Sequence, residues 1–225
     1  MGEAIGQLLP FAVGVAISPL PIVAVVLMLV TPRARSNGPA FLAGWIAGIA
    51  LAGAVLLAIA GPSNASQEGE PAAWVDWLKL VLGLLLVLVA VRQWRARPHQ
   101  GEEVPMPKWM GALDNFTPAK AAGAGVLLGT INPKNLLFII GGAAAVAQTG
   151  IGGGQQAGAW AVFTVLASLG VAASVVIYFA MGTRAAGVLD SLKTWMAGHN
   201  TAVMAVLCLI VGVKLVGDAI TGFSG

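Results

Sequence analysis

Apolar residues run along this chain in six long stretches, roughly 5–30, 39–61, 73–92, 119–148, 157–182 and 200–221. Each is long enough to cross a bilayer as a helix, which takes ~20 mostly apolar residues. The interruptions carry turn chemistry: Thr31-Pro32, Gly61-Pro62-Ser63-Asn64, Arg97-Pro98 and the glycine-rich segment from Gly150 to Gly154. The pattern predicts an all-α integral membrane protein of six transmembrane helices in a single polytopic domain over 1–225. The first stretch lacks a preceding basic region and is too long for a cleaved signal peptide, so it is expected to be retained as a span.

The first and fourth stretches are themselves interrupted, by Ser18-Pro19-Leu20-Pro21 and by Asn132-Pro133-Lys134-Asn135. Ser and Asn are favoured N-cap residues and proline is favoured at the first helical position, so each interruption reads as the start of a new half-helix. An interrupted helix in lipid leaves backbone groups unpaired, which is tolerated only where protein or a polar cavity satisfies them. Paired breaks in corresponding spans point to a transporter's binding site.

Sliding the chain along itself by 114 positions puts Ser18-Pro19 over Asn132-Pro133 and Ile17 over Ile131. Three spans per half is an odd number, so the second half would be inverted in the membrane. The expected architecture is a 3+3 inverted-topology repeat, with helices 1 and 4 broken at mid-membrane. Repeat 1 covers about 1–97, a cytoplasmic connection about 98–118 and repeat 2 about 119–225.

Charge sets the expected orientation. Arg33 and Arg35 lie between spans 1 and 2, and Arg92, Arg95, Arg97, Lys108 and Lys120 between spans 3 and 4. Arg184 and Lys193 lie between spans 5 and 6, whereas the 2–3 connection carries Glu68, Glu70 and Asp76. By the positive-inside rule the odd-numbered connections are cytoplasmic and both termini lie outside a cytoplasmic membrane. The basic balance, a net charge of +3, is thereby explained as an orientation signal, and a nucleic-acid partner is not expected. Only 9% of residues are charged against 58% hydrophobic, far from the roughly 25% charged of soluble domains.

Lys134 is the basic residue closest to the middle of a span, and such charges are costly and usually functional. At the start of a half-helix it adds to a positive helix end, so an anion is expected beside it. Two half-helix N-termini arriving from opposite leaflets would form an anion-attracting pocket, and Ser18, Pro19, Pro21, Asn132, Pro133, Lys134 and Asn135 are the candidate substrate-binding residues. The expected substrate is anionic or zwitterionic. An ammonium held away from water gives up its proton more readily, so proton coupling is a further expectation. The alternative role for Lys134 is donation to carbonyls freed by the break.

Lys79 and Lys214, near the outer ends of spans 3 and 6, have Asp76 and Asp218 within one helical turn and are expected to pair locally. Ala40, Gly44, Gly48 and Ala52 on span 2, with Gly125 and Gly129 on span 4, are spaced for close helix packing, and such faces also permit a homodimer. Trp109, Met110, Leu113 and Phe116, and likewise Leu189, Leu192, Trp195 and Met196, fall at helical spacing suited to interfacial helices or aromatic anchoring. Cys208 is the single cysteine, and His99 and His199 are far apart, so no disulfide, metal site, cofactor or catalytic motif is expected. A thiol–disulfide electron carrier is excluded by that cysteine count.

The stretch Leu128-Gly129-Thr130-Ile131-Asn132-Pro133-Lys134-Asn135-Leu136-Leu137-Phe138 resembles the Asn-Pro-Lys signature of the lysine-exporter (LysE) superfamily. The first-span proline pair of that group has its counterpart in Pro19 and Pro21, with Leu20 where glycine is usual. The run from Ala16 through Thr31-Pro32-Arg33-Ala34-Arg35 to Phe41-Leu42-Ala43-Gly44-Trp45 is similar to the actinobacterial sulfolipid- and peptidoglycolipid-addressing (Sap/GAP) proteins. The resemblance implies an exporter-like carrier with an envelope glycolipid or its precursor as cargo. A small-metabolite exporter and a non-transporting accessory protein of a lipid-export machine are the alternatives.

Overall fold

The computed structural model describes residues 1–63, 73–96 and 116–224, and every regular element among them is helical. The order is α1 (Gly2–Ala16), α2 (Pro19–Leu29), α3 (Ala34–Ser63), α4 (Ala73–Arg95), α5 (Pro118–Thr130), α6 (Pro133–Ala147), α7 (Gly153–Met181) and α8 (Ala185–Ser224), with one 3₁₀ turn before α8. Four helices (α3, α4, α7 and α8) are individually long and apolar enough to cross a membrane. The pairs α1–α2 and α5–α6 each pass the same test together, bent by 49° and 62°, which brings the number of spans to six if each pair is one span.

Proline sets where the broken pairs start and stop. Ser18-Pro19, Thr117-Pro118 and Asn132-Pro133 each put a capping residue before a proline at the first helical position. A proline there loses no intrahelical donor, and its ring disfavours helical geometry in the residue before it. Each preceding half-helix therefore ends at the break. Between α6 and α7 the chain turns at Gly150 with φ 64°, and α7 ends at Gly182 with φ 55°, backbone that glycine adopts without a Cβ penalty.

Small residues let the helices approach closely. A Cβ at Gly44 would run into the Ala122 carbonyl, and one at Gly125 into the Phe41 carbonyl, so α3 and α5 lie backbone against backbone. These are glycines that the sequence marks as packing positions. In the same way Gly83 of α4 faces the Gly212 carbonyl of α8, while Gly212 faces the Gly83 carbonyl. The largest buried rings, Phe11, Phe41, Trp45, Phe138 and Phe163, come from α1, α3, α6 and α7 and lie in one apolar core.

The last helix differs from the sequence expectation. Leu189, Leu192, Trp195 and Met196 belong to the same continuous α8 as the sixth span, a helix of 40 residues. No proline intervenes near Gly198, and Leu189 and Met196 are buried in the bundle rather than turned to an interface. Trp195 is exposed and stacks on His199. Trp109, Met110, Leu113 and His99 lie outside the described residues.

Candidate functional site at the two breaks

The first break is closed over by its neighbours. Ser18, Pro19 and Pro21 are buried, and the Ser18 side chain makes no capping hydrogen bond. Here the Ser18 N–H donates to the Val15 carbonyl and the Ile17 N–H to Val13, so the Gly14 carbonyl between them is freed by the end of α1. Gly170 of α7 seals this side, because a Cβ there would meet the Ala16 carbonyl.

The second break carries the polar groups. The Asn132 side chain accepts from the Lys134 N–H at 3.2 Å, a working N-cap. Asn135 is fully buried and its Nδ2 donates to the Leu128 carbonyl at 3.0 Å, capping the last turn of α5 across the interruption. Its Oδ1 is buried without a partner. Pro133 is exposed and Asn132 half-buried, whereas Lys134 is buried.

Lys134 joins the two breaks. Its Nζ donates to the freed Gly14 carbonyl at 3.1 Å and lies 5.6 Å from the centre of the Phe138 ring. An ammonium at the centre of a span costs about 2.5–3.5 kcal/mol on insertion scales. A hydrogen bond to a charged group returns about 1.5–3 kcal/mol. One carbonyl thus roughly offsets the burial, leaving two of the three ammonium N–H groups for other acceptors. The acceptor is a carbonyl rather than a carboxylate, the arrangement that the sequence offers as the alternative role for this lysine.

Two aromatic rings lock α1 against α6 around this contact. Phe138 fills the space at Gly14, and Phe11 fills the space at Gly141. The pairing 14 with 138 and 11 with 141 makes the two half-helices antiparallel. Its sequence signal is a Phe-x-x-Gly spacing in both broken stretches, Phe11 to Gly14 and Phe138 to Gly141, which span-level reading passes over.

At the far end of α6, Gln148 donates to Asp76 at 3.3 Å, and Asp76 pairs with Lys79 at 3.5 Å. Lys214 pairs with Asp218 and sits 5.8 Å from the Phe11 ring. The local pairing expected for both lysines is present, with Gln148 as an additional partner for Asp76. Asn37, fully buried on α3, ties that helix to the Phe116 carbonyl at 3.0 Å, a contact with no sequence signal. Among the described residues no group of three or more metal-ligating side chains is assembled.

A helical bundle of four to six candidate spans, two of them interrupted, with a lysine buried between the interruptions, has the makeup of a multi-pass membrane protein. The chain belongs to the family described as Sap, sulfolipid-1-addressing protein, whose model matches residues 8–221. No curated protein and no solved structure matches it.

Proposed function

We propose that this protein is a carrier that moves an anionic envelope lipid, or its precursor, across the cytoplasmic membrane, binding the anionic headgroup at Lys134. The observation that carries the reading is the buried Lys134 Nζ, held at a half-helix N-terminus by one backbone carbonyl and an aromatic face. Helix N-termini favour anions, and a sulfate or phosphate is a better acceptor for an ammonium than a neutral carbonyl. The family description, which names sulfolipid addressing, agrees with an anionic lipid as cargo.

Alternating access by a 3+3 inverted repeat is the proposed mechanism, as in the LysE-like group the sequence resembles. Supporting it, the packing pairs exchange when the halves are exchanged: α3 packs on α5 as α7 packs on α1, and α3 on α6 as α7 on α2. The reciprocal Gly83–Gly212 approach of α4 and α8 fits a local two-fold axis. In this scheme α1 and α6 occupy the outer half of the membrane, α2 and α5 the cytoplasmic half, and both termini lie outside. A hollow of about 440 Å³ bordered by Arg35 and Tyr178 then lies at the cytoplasmic end, where a cation suits an arriving anionic headgroup. Release of the Gly14 carbonyl from Lys134 on substrate binding would unlatch α1 from α6 and permit rocking.

The test is transport by purified protein in proteoliposomes, read as the appearance of a sulfated glycolipid to a membrane-impermeant reagent on the opposite side. The native chain is expected to move the lipid and Lys134→Met to move it at least about tenfold more slowly, a loss of about 1.4 kcal/mol. Movement of amino acids but not of lipid would transfer the site to a small-metabolite exporter. No movement of either, with co-purification of a larger transporter, would replace the carrier with an accessory protein.

A further inference from the structure

Between the second half of α3 and the first half of α7 lies an open groove of about 870 Å³, away from the breaks and unused by the mechanism above. Small side chains keep it open: Ala50, Ala54 and Ala58 on one wall, and Ala157 and Ala161 on the other. Trp160 is its floor. The indole lies across Gly53, where a Cβ would strike the ring, and it stacks on Phe163 with centroids 4.4 Å apart.

Three polar groups bordering the groove are engaged inside the protein. Trp160 Nε1 donates to the Ile49 carbonyl at 3.2 Å, the Thr164 hydroxyl to the Trp160 carbonyl at 2.9 Å, and Gln156 Nε2 to the Ile151 carbonyl at 3.0 Å. Most of what remains facing the groove is carbon and hydrogen, from the alanines, Leu57 and Val165. From Gly153 to Val165 the α7 wall rises about 18 Å at 1.5 Å per residue, close to the ~15 Å thickness of one leaflet's hydrocarbon. Its inner end is also placed. Gly48 of α3 packs on Val126 and Thr130 beside the second break, and Gly170 of α7 packs on Ala16 beside the first. The groove starts just beyond both contacts, at Ala50 and Val165, and runs away from them.

We infer that the α3–α7 groove is a binding site for the acyl chain of a lipid, running from the level of the two breaks to the outer membrane face. A concave, leaflet-length trough lined mainly by apolar side chains suits a single hydrocarbon chain. A second copy of this chain would need a complementary protruding ridge. The inference rests on the carrier reading only for which headgroup the chain belongs to. A lipid held at Lys134 by its headgroup would have its tail led outward along this trough.

The experiment uses the full-length protein in phospholipid vesicles doped with a phospholipid carrying a diazirine in its acyl chain, with photo-adducts mapped by mass spectrometry. Adducts are expected on 50–58 and 153–165 at roughly tenfold higher yield than on other lipid-facing positions such as Leu84, Leu85 and Val213. Ala54→Phe with Ala161→Phe, both substitutions at exposed groove-wall positions, should remove that excess and leave labelling at Leu84 unchanged. Even labelling over all lipid-facing helices, or an excess that survives the two phenylalanines, overturns the site. So does protein–protein cross-linking at these residues in place of lipid adducts. Lys134→Met should leave the groove labelled, so loss of transport in that variant and loss of the groove adducts report on separate claims.

Discussion

The two breaks share a capping residue and a proline but are built to opposite ends. At the first, Ser18, Pro19 and Pro21 are buried among apolar neighbours, the serine caps nothing, and the free backbone group is an acceptor, the Gly14 carbonyl. At the second, Asn132 caps, Asn135 bridges the interruption, Pro133 is exposed, and the buried group is a donor, the Lys134 Nζ. The bend is also larger, 62° against 49°. One break is a sealed apolar socket and the other carries the polar side chains. In the proposed carrier that asymmetry gives Lys134 an internal partner, the Gly14 carbonyl, when no substrate is bound.

Replacing Lys134 should have the largest consequence for activity and separates the two breaks most sharply. Lys134→Met is expected to lower lipid transport by at least about tenfold, whereas Ser18→Ala changes it less than about twofold. Equal losses would mean both breaks bind substrate alike. The seals differ next. Gly170→Ala drives a methyl into the Ala16 backbone at the first break and should cost about 1–3 kcal/mol of stability in detergent unfolding. Gly48→Ala, which meets Val126 Cα at 3.1 Å and the Thr130 methyl at 3.2 Å, should cost less than half as much. The reverse order would show the second break to be the tighter one.

Asn135→Leu removes the bond to Leu128 across the second break and should cost about 1–2 kcal/mol, measured by the same unfolding assay. The smallest contrast is in the caps. Asn132→Ala should cost about 1 kcal/mol, while Ser18→Ala, which loses no capping bond, should stay within about 0.5 kcal/mol. A serine variant as costly as the asparagine variant would mean that Ser18 caps after all.

Much of this was legible in the residue order. Apolar run lengths and X-Pro pairs located the spans and both interruptions, because a bilayer enforces length and proline enforces the break. Gly44, Gly48 and Gly125 marked close-packing positions through small-residue spacing, and the structure supplies their pairing in the α3–α5 seam. What escaped were features decided by how helices meet rather than by what each contains. The partner of Lys134 is a carbonyl 120 positions away, invisible because every residue has one. The continuity of α8 through Gly198 escaped too, since burial of Leu189 and Met196 against the bundle outweighs an amphipathic pattern that suits an interface equally well. The groove over Trp160 arises from Gly53 on another helix, a pairing no local pattern encodes.

The proposed exchange of partners at Lys134 is open to direct observation by solid-state NMR in membranes, with ¹⁵Nζ-labelled lysine and ¹³C-carbonyl-labelled glycine. Without substrate, a dipolar coupling between the Lys134 amine and the Gly14 carbonyl is expected, in keeping with the 3.1 Å hydrogen bond. Saturation with a sulfated glycolipid should abolish that coupling. A coupling that persists unchanged while the lipid is being transported would contradict the account.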